Sequence, residues 1–157
     1  MQPIRTILHP TDFSDCSQAA FRLACSLARD HGARLVVLHV TSLPDLAYQG
    51  YGAPDSAALP EEYLAKVRQD LELLQPPGPQ VPMERCVVEG DPVSEILRAA
   101  KENVADLIVL GTHGKTGLPH VLMRSVAEQV VRKAACPVLT VKTPTVGRQP
   151  APSRKSH

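Results

Sequence analysis

Hydrophobic and polar positions divide the chain into short apolar runs that alternate with segments of helical periodicity. The apolar runs, rich in β-branched residues, predict buried strands at Arg5–His9, Arg34–Val40, Met83–Val88, Leu107–Leu110 and Pro137–Val141. Between them, apolar residues recur at the spacing of one helical face, which predicts helices at Ser14–Arg29, Glu61–Leu74, from Pro92 onward and Ser125–Ala135. Strands that alternate with helices indicate a single α/β domain, an open parallel sheet with helices on both faces.

Capping residues mark the predicted helix ends. Ser14 and Asp91 stand where an N-cap is needed, and Gly32 supplies the C-terminal stop of the first helix. Ser125, followed three positions later by Glu128, matches a capping box, so the last helix is predicted to begin there.

Two strand ends carry the candidate binding chemistry. Pro10-Thr11-Asp12 follows the first strand, and Gly111–Gly114 follows the fourth. In open parallel sheets ligands bind beyond the carboxyl ends of the strands, where strand order reverses. If the order is 3-2-1-4-5, Asp12 faces the glycine loop across one crevice. Glycines let backbone N–H groups approach an anion, and the helix N-terminus at Ser125 adds unpaired N–H groups. The alternative is a connection that merely needs flexible residues.

The charge balance argues against a nucleic-acid partner. The chain of 157 residues has a formal net charge of +1, and the segment 143–157 holds three basic residues and no acidic one. The remainder is therefore slightly acidic, and aromatic residues make up only 3% of the chain. Because nucleic-acid surfaces need a basic patch and single-strand binding needs aromatic platforms, neither is expected.

Cysteine spacing and hydropathy predict the compartment. Cys16, Cys25, Cys86 and Cys136 are widely spaced without a C-x-x-C pair, which favours reduced and mostly buried thiols. No apolar run approaches the ~18 residues of a membrane span, and the N-terminal run is too short for a signal peptide. We therefore expect a cytosolic protein that has no membrane partner.

Two stretches lack regular patterning. Thr41–Pro60 contains several prolines and glycines with Tyr48 and Tyr51, and it is long for a strand-to-helix connection. We interpret it as a mobile flap or an interaction loop. Residues 143–157 are rich in Pro, Ser and Arg, which predicts a disordered tail after a folded domain at 1–142.

Short motifs stand in order along the chain: I-L-H-P-T-D-F-S at Ile7–Ser14, G-D-P at Gly90–Pro92, D-L-I-V-L-G-T-H-G at Asp106–Gly114 and A-C-P-V-L-T-V-K at Ala135–Lys142. This set resembles the universal stress protein family. The resemblance implies an adenine nucleotide alpha hydrolase-like fold with strand order 3-2-1-4-5, ATP in the crevice and a homodimer formed through the last strand.

The resemblance also implies a nucleotide site. Its predicted members are Pro10, Thr11, Asp12, Val40, Leu110, Gly111, His113, Gly114, Arg124, Ser125, Val126 and Ala127. Asp12 would hold the ribose hydroxyls or the adenine edge, and the backbone of Val40 would read adenine. A carboxylate suits hydroxyl donors because it only accepts hydrogen bonds.

The phosphates are assigned to the other half of this site. Gly111, His113 and Gly114 would wrap them, and Ser125 with Val126 would bind them at the helix N-terminus. Backbone N–H groups suit phosphate oxygens. Mg²⁺, if present, would arrive with the phosphates and keep its waters.

Arg124 departs from the family signature. That signature is G-x-x-G, nine residues, then G-[ST]; Gly111, Gly114 and Ser125 fit it, whereas Arg124 stands where the ATP-binding branch has glycine. If the phosphate lies against this backbone or the turn needs a positive φ, the arginine Cβ obstructs binding. Alternatively, the guanidinium points outward or donates to the phosphates.

Other signals for chemistry are weaker. Gly114–Thr116 matches the end of a P-loop, but Val109 stands where that motif needs its first glycine. His113 and His120 lack metal-ligand spacing and companion carboxylates, so no dedicated metal site is expected. His9 and His39 lie within predicted strands and are expected to be hydrogen-bonded core histidines.

The last strand, Val138–Val141, is predicted to be an exposed apolar edge. Such edges invite pairing, and antiparallel pairing with a second copy would give a two-fold dimer. The alternative is an edge covered by the tail.

These features favour a nucleotide-binding stress-response module. Nothing supplies a general base or positions an in-line nucleophile for rapid ATP hydrolysis. Two rivals stay open: a dimeric interaction protein of the same fold that does not bind ATP, and a slow ATPase.

Overall fold

A computed structural model of the chain describes residues 2–42, 59–112 and 120–143, with the backbone alone for residues 120–125. Within these ranges strands and helices alternate: β1 (Thr6–Pro10), α1 (Asp15–His31), β2 (Arg34–Thr41), α2 (Glu61–Leu73), β3 (Met83–Glu89), α3 (Pro92–Glu102), β4 (Leu107–Gly111), α4 (His120–Lys133) and β5 (Val138–Val141). The predictions for the Thr41–Pro60 loop and the 143–157 tail fall largely outside the described residues. The same holds for His113 and Gly114.

The strands form one parallel sheet in the order β3-β2-β1-β4-β5, which confirms the predicted topology. β3 and β5 are its edge strands, as the sequence indicated. The strand order reverses between β1 and β4, so the edge of the sheet at the carboxyl ends of these two strands is where a ligand crevice is expected.

Two apolar layers cover the sheet, one on each face. On one face α1 and α2 pack against alternate strand residues, including Ile7, Leu35 and Val109. On the other face α3 and α4 pack against the intervening residues, such as Leu8 and Ile108. Because helices cover both faces, the strands are apolar at consecutive positions, as is typical of parallel sheets.

Helical spacing predicts buried faces in the first two helices, and most of these positions are buried or packed against the core: Ala20, Ala24, Leu27, Ala28, Leu64, Val67, Leu71 and Leu74. Single positions differ. Leu23, expected on the buried face of α1, is 37% exposed, whereas Phe21 and Cys25 of the same helix are buried. In α2 the fully buried residue is Tyr63 rather than its neighbour Leu64. Side chains of α1, α2 and the sheet form one apolar cluster. The buried stripe of α1 is therefore wider than contact with the sheet alone would require.

The predicted start of the last helix is wrong. α4 begins at His120, five residues before the Ser125–Glu128 capping box. Residues His120–Arg124 include no glycine or proline, and Pro119, which precedes them, is a residue type favoured at helix starts. The helical propensity of this segment therefore extends α4 past the local capping signal.

The other predicted caps are confirmed. The Ser14 side chain accepts a hydrogen bond from the backbone N–H of Ser17, and Asp91 does the same for Ser94 at α3. Gly32 ends α1 in the left-handed conformation, with φ of 63°.

Candidate functional site

The crevice begins where β1 and β4 separate. These strands pair only through Ile7 with Leu107 and Leu8 with Ile108. Beyond that point β1 stays with β2, since the backbone N–H of Thr11 donates to the carbonyl of Leu38 at 2.8 Å. β4 stays with β5 through Gly111. Pro10 has no N–H to donate, so the sheet parts at the predicted place.

Asp12 lies directly after β1, at the rim of this gap. Its Oδ1 accepts hydrogen bonds from both the backbone N–H of Ser14, at 3.0 Å, and the Ser14 hydroxyl. Its Oδ2 is buried, and no partner for that oxygen lies within the described parts of the chain. A buried carboxylate oxygen without a donor is costly, which makes this atom a candidate acceptor for a hydrogen-bond donor of a ligand.

Hydroxyl groups fix the turn that carries Asp12. The Ser17 hydroxyl donates to Thr11 Oγ1 at 2.8 Å and accepts from the backbone N–H of Asp12 at 3.3 Å. The backbone N–H of Phe13 donates to the same Thr11 oxygen at 3.1 Å. Phe13 has φ of 63°, a conformation that side chains other than glycine rarely adopt. The turn is therefore held in a strained but well-supported geometry, as functional sites often are.

His39 braces this turn from β2. Its Nδ1 donates to the carbonyl oxygen of Thr11 at 2.8 Å, and its ring lies 4.8 Å from that of Phe13. Val40, the residue predicted to read adenine, follows it and is buried, with its side chain in the α3–α4 layer. Only the backbone of Val40 is therefore a candidate for ligand contact.

Gly111 ends β4 against the first turn of α1. A Cβ built on Gly111 would lie 3.0 Å from the carbonyl carbon of Cys16 and 3.0 Å from the backbone nitrogen of Ser17. These distances are shorter than nine in ten real Cβ contacts, so the backbone of α1 would have to move by a few tenths of an ångström. The absence of a side chain at Gly111 therefore lets β4 and the Asp12 turn approach each other closely, a reason for the glycine that differs from the predicted phosphate wrapping.

The predicted site residues in and next to α4 lie mostly in the hydrophobic core. Leu110 and Ala127 are buried in the α3–α4 layer, and Val126 packs against it. Because α4 begins at His120, the N–H groups of Ser125, Val126 and Ala127 lie beyond its first turn. An N–H at such a position normally bonds to the carbonyl four residues earlier.

His9 of β1 is hydrogen-bonded to β4 near the point where the two strands separate. It is fully buried, and its Nδ1 donates to the carbonyl oxygen of Val109 at 2.8 Å. Burial lowers the pKa of His9 to about 4, against a weaker opposing effect of that hydrogen bond. The imidazole is therefore neutral near pH 7 and acts as a fixed donor across the β1–β4 seam.

Three of the thiols, those of Cys25, Cys86 and Cys136, are unsuited to nucleophilic chemistry. All four cysteines are free; Cys16 and Cys25 are buried, whereas Cys86 and Cys136 are only half-buried. Burial raises the pKa of Cys25 to about 11, and it raises the pKa values of Cys86 and Cys136 as well. A raised pKa keeps the thiol protonated, and a protonated thiol is a poor nucleophile.

Among the described side chains, at residues 2–42, 59–112 and 126–143, His, Cys, Asp and Glu form no group of three that could hold a metal ion. Within residues 2–42, 59–112 and 120–143, no helix is both long and apolar enough to cross a membrane.

Residues 3–142 match the sequence profile of the universal stress protein family. The chain belongs to the universal stress protein family. A universal stress protein of Methanocaldococcus jannaschii is 36% identical over 143 residues, which cover 89% of this chain and 83% of the relative. The family assignment made from the short motifs is therefore confirmed.

Solved structures agree with the universal stress protein assignment. Another Methanocaldococcus jannaschii protein superimposes with a TM-score of 0.69 at 29% identity, covering 92% of this chain and 99% of that structure. A universal stress protein in complex with cAMP gives a TM-score of 0.60 at 25% identity, covering 90% and 98%. The fold is the adenine nucleotide alpha hydrolase-like fold that the resemblance implied.

Sequence reasoning missed the side chains that support the site in this universal stress protein. Ser17 and His39 fix the Asp12 turn, yet neither was predicted to belong to the site. Ser17 stands three residues after the Ser14 cap, a position that carries no distinctive signal. His39 was predicted only as a core histidine, and its partner Thr11 is 28 residues away in sequence.

Proposed function

We propose that this universal stress protein binds an adenine nucleotide, ATP foremost, in the crevice between β1 and β4, and acts as a nucleotide-dependent stress-response module in the cytosol. The observation that carries the proposal is the buried Oδ2 of Asp12, which has no partner in the described chain. Asp12 lies where the strand order reverses, and open parallel sheets bind their ligands at such points. The cAMP complex of a related structure supports an adenine nucleotide as the ligand class.

Each half of the nucleotide has a proposed set of contacts. Asp12 accepts from the ribose hydroxyls or the adenine amino group, and the backbone of Val40 reads the adenine edge. Gly111 brings the end of β4 close to the Asp12 turn, so both border the same proposed crevice. Mg²⁺ would be bound through the phosphates of ATP, because it dehydrates reluctantly and prefers phosphate oxygens.

Replacing Asp12 with asparagine should weaken ATP binding about 30-fold, since a hydrogen bond to a charged group contributes about 2 kcal/mol. The variant keeps Oδ1 as the acceptor for Ser14 and places an amide donor where Oδ2 was, so the turn should still fold. Isothermal titration calorimetry with ATP and Mg²⁺ measures the change, and a thermal melt checks the fold.

Asp91→Asn is the matched control for this substitution. Asp91 also follows a strand end, but its carboxylate caps α3 through the N–H and hydroxyl of Ser94, which lower its pKa. Asparagine is an equally good cap, so ATP affinity should stay within twofold of wild type, on the order of experimental error. Equal affinities of the Asp12→Asn variant and wild type, or no binding of any adenine nucleotide by wild type, would contradict the proposal.

We also propose a homodimer formed through β5. This strand is an edge of the sheet, and Leu139 within it is 37% exposed. Pairing of β5 with its counterpart in a second copy would cover the unpaired backbone groups and the exposed leucine.

Leu139→Lys should shift the protein to monomer mass at micromolar concentration, because a charged side chain on an edge strand opposes pairing. Leu73→Lys is the control, since Leu73 is 73% exposed on α2 and lies away from β5. Sedimentation equilibrium measures both. A monomeric wild type, or a Leu139→Lys variant that stays dimeric, would rule out this interface.

A further inference from the structure

The two peptide units on either side of Asp12 are both held by side chains. In the unit before it, the carbonyl oxygen of Thr11 accepts a hydrogen bond from His39 Nδ1 at 2.8 Å. The N–H of the same unit, which belongs to Asp12, donates to the Ser17 hydroxyl at 3.3 Å. In the unit after it, the N–H of Phe13 donates to Thr11 Oγ1 at 3.1 Å. These contacts together fix the direction in which the Asp12 side chain leaves the backbone.

The contact from His39 comes from outside the turn. His39 belongs to β2 and Ser17 to α1, so the peptide unit before Asp12 is held at its two ends by two different elements. A carbonyl oxygen only accepts hydrogen bonds, so Nδ1 carries the proton in this contact. Both His39 and Thr11 are buried, and water therefore cannot easily replace a lost donor. A buried carbonyl without a donor is costly, which favours rotation of this peptide unit when His39 cannot donate.

Strain at Phe13 gives the turn a reason to relax. Its φ of 63° lies in the left-handed region, which is unfavourable for a residue with a side chain. Strain of this kind persists only where the surrounding structure holds it in place. The His39 ring lies 4.8 Å from the Phe13 ring, so one residue of β2 contacts the turn on both sides of Asp12.

We propose that His39 is a positioning residue for nucleotide binding, which holds Asp12 in its binding orientation by donating from Nδ1 to the Thr11 carbonyl. This inference rests on the proposed function. In this role His39 does not touch the nucleotide and acts only through the turn. The hydrogen-bond donor is what the role requires, rather than the aromatic ring or a charge.

Two substitutions separate the donor from the ring, and calorimetry of the full chain with ATP and Mg²⁺ measures both. His39→Phe keeps a ring against Phe13 but has no donor, so it should weaken ATP binding about tenfold. His39→Asn loses the ring but keeps an amide donor on the atom bonded to Cγ, where Nδ1 is bonded in histidine. Its ATP affinity should stay within about threefold of wild type, because the Thr11 carbonyl keeps a donor.

Val67→Ala is the control for lost stability. Val67 is buried on α2, so its truncation should lower the midpoint of urea denaturation and leave ATP affinity at the wild-type value. Both His39 variants also disturb the core, and their stabilities are measured in the same way. ATP affinity that followed stability across the three variants would assign His39 a merely structural role and overturn the inference.

Amide hydrogen exchange of the turn tests the same role without a nucleotide. The N–H groups of Asp12 and Phe13 should exchange about tenfold faster in His39→Phe and keep wild-type protection in His39→Asn. Equal ATP affinity of His39→Phe and wild type, or equally weak binding by both His39 variants, would overturn the inference. Absence of ATP binding by wild type would instead reject the proposed function. Unchanged exchange of the two amides in His39→Phe would then overturn the positioning role as well.

Discussion

Replacing Gly111 with alanine should destabilise the fold by about 3 kcal/mol, the upper end of the usual cost of overpacking. The added Cβ would meet the backbone of Cys16 and Ser17 at 3.0 Å, and backbone atoms cannot rotate away as a flexible side chain can. Relief requires α1 to move away from β4, which would also displace the Asp12 turn. Urea denaturation measures the loss of stability, and ATP affinity should fall with it.

Gly32→Ala is the control that distinguishes steric crowding of the added Cβ from strain in the backbone dihedral angles. A Cβ at Gly32 has no atom within 4 Å, but φ is +63°, so the expected cost is only about 1 kcal/mol. ATP affinity should be unaffected because Gly32 lies at the C-terminal end of α1, away from the crevice. If Gly111→Ala were as stable as wild type, the close approach of β4 to α1 would not be what requires the glycine.

Acidification should unfold the protein through His9. The folded-state pKa of about 4 lies below the reference value of 6.5, so between these values the unfolded chain binds a proton that the folded chain does not. Stability is therefore intact above pH 6.5 and decreases as the pH falls towards 4, where the loss reaches about 3 kcal/mol. Urea denaturation at a series of pH values from 7 to 4 measures this decrease.

His9→Asn isolates the contribution of this one imidazole. The amide keeps a donor for the Val109 carbonyl but does not titrate, so the variant should lose about 3 kcal/mol less than wild type over the same pH range. His31→Asn, at an exposed position in the last turn of α1, should leave the wild-type pH profile unchanged. Parallel pH profiles for wild type and His9→Asn would show that another group causes acid unfolding.

The strands and their order were predictable because the signal for them is local and redundant. A run such as Leu107–Leu110 is apolar throughout, which a strand buried on both faces requires, and the alternation with helices restricts the topology. The caps at Ser14 and Asp91 were predictable for the same reason, since each cap involves atoms only three residues apart.

The details of the site depend on contacts that sequence does not encode locally. The close approach that requires Gly111 joins residues almost a hundred positions apart, and the hydrogen bond from His39 to Thr11 crosses between strands. The start of α4 was predicted wrongly because the capping box at Ser125 competes with the helical propensity of the segment before it. Periodicity predicted Leu64 on the buried face of α2 and missed Tyr63, because both residues stand about one helical turn before Val67.

The two apolar layers share no side chain, because the sheet lies between them. Substitutions far apart without common partners combine additively, so changes in one layer should not alter the effects of changes in the other. The Asp12 turn leads directly into α1, whereas Val93 and Ile96 belong to the opposite layer. Repacking beneath α3 should therefore change thermal stability without altering the Asp12 turn, which lies on the α1 side of the sheet.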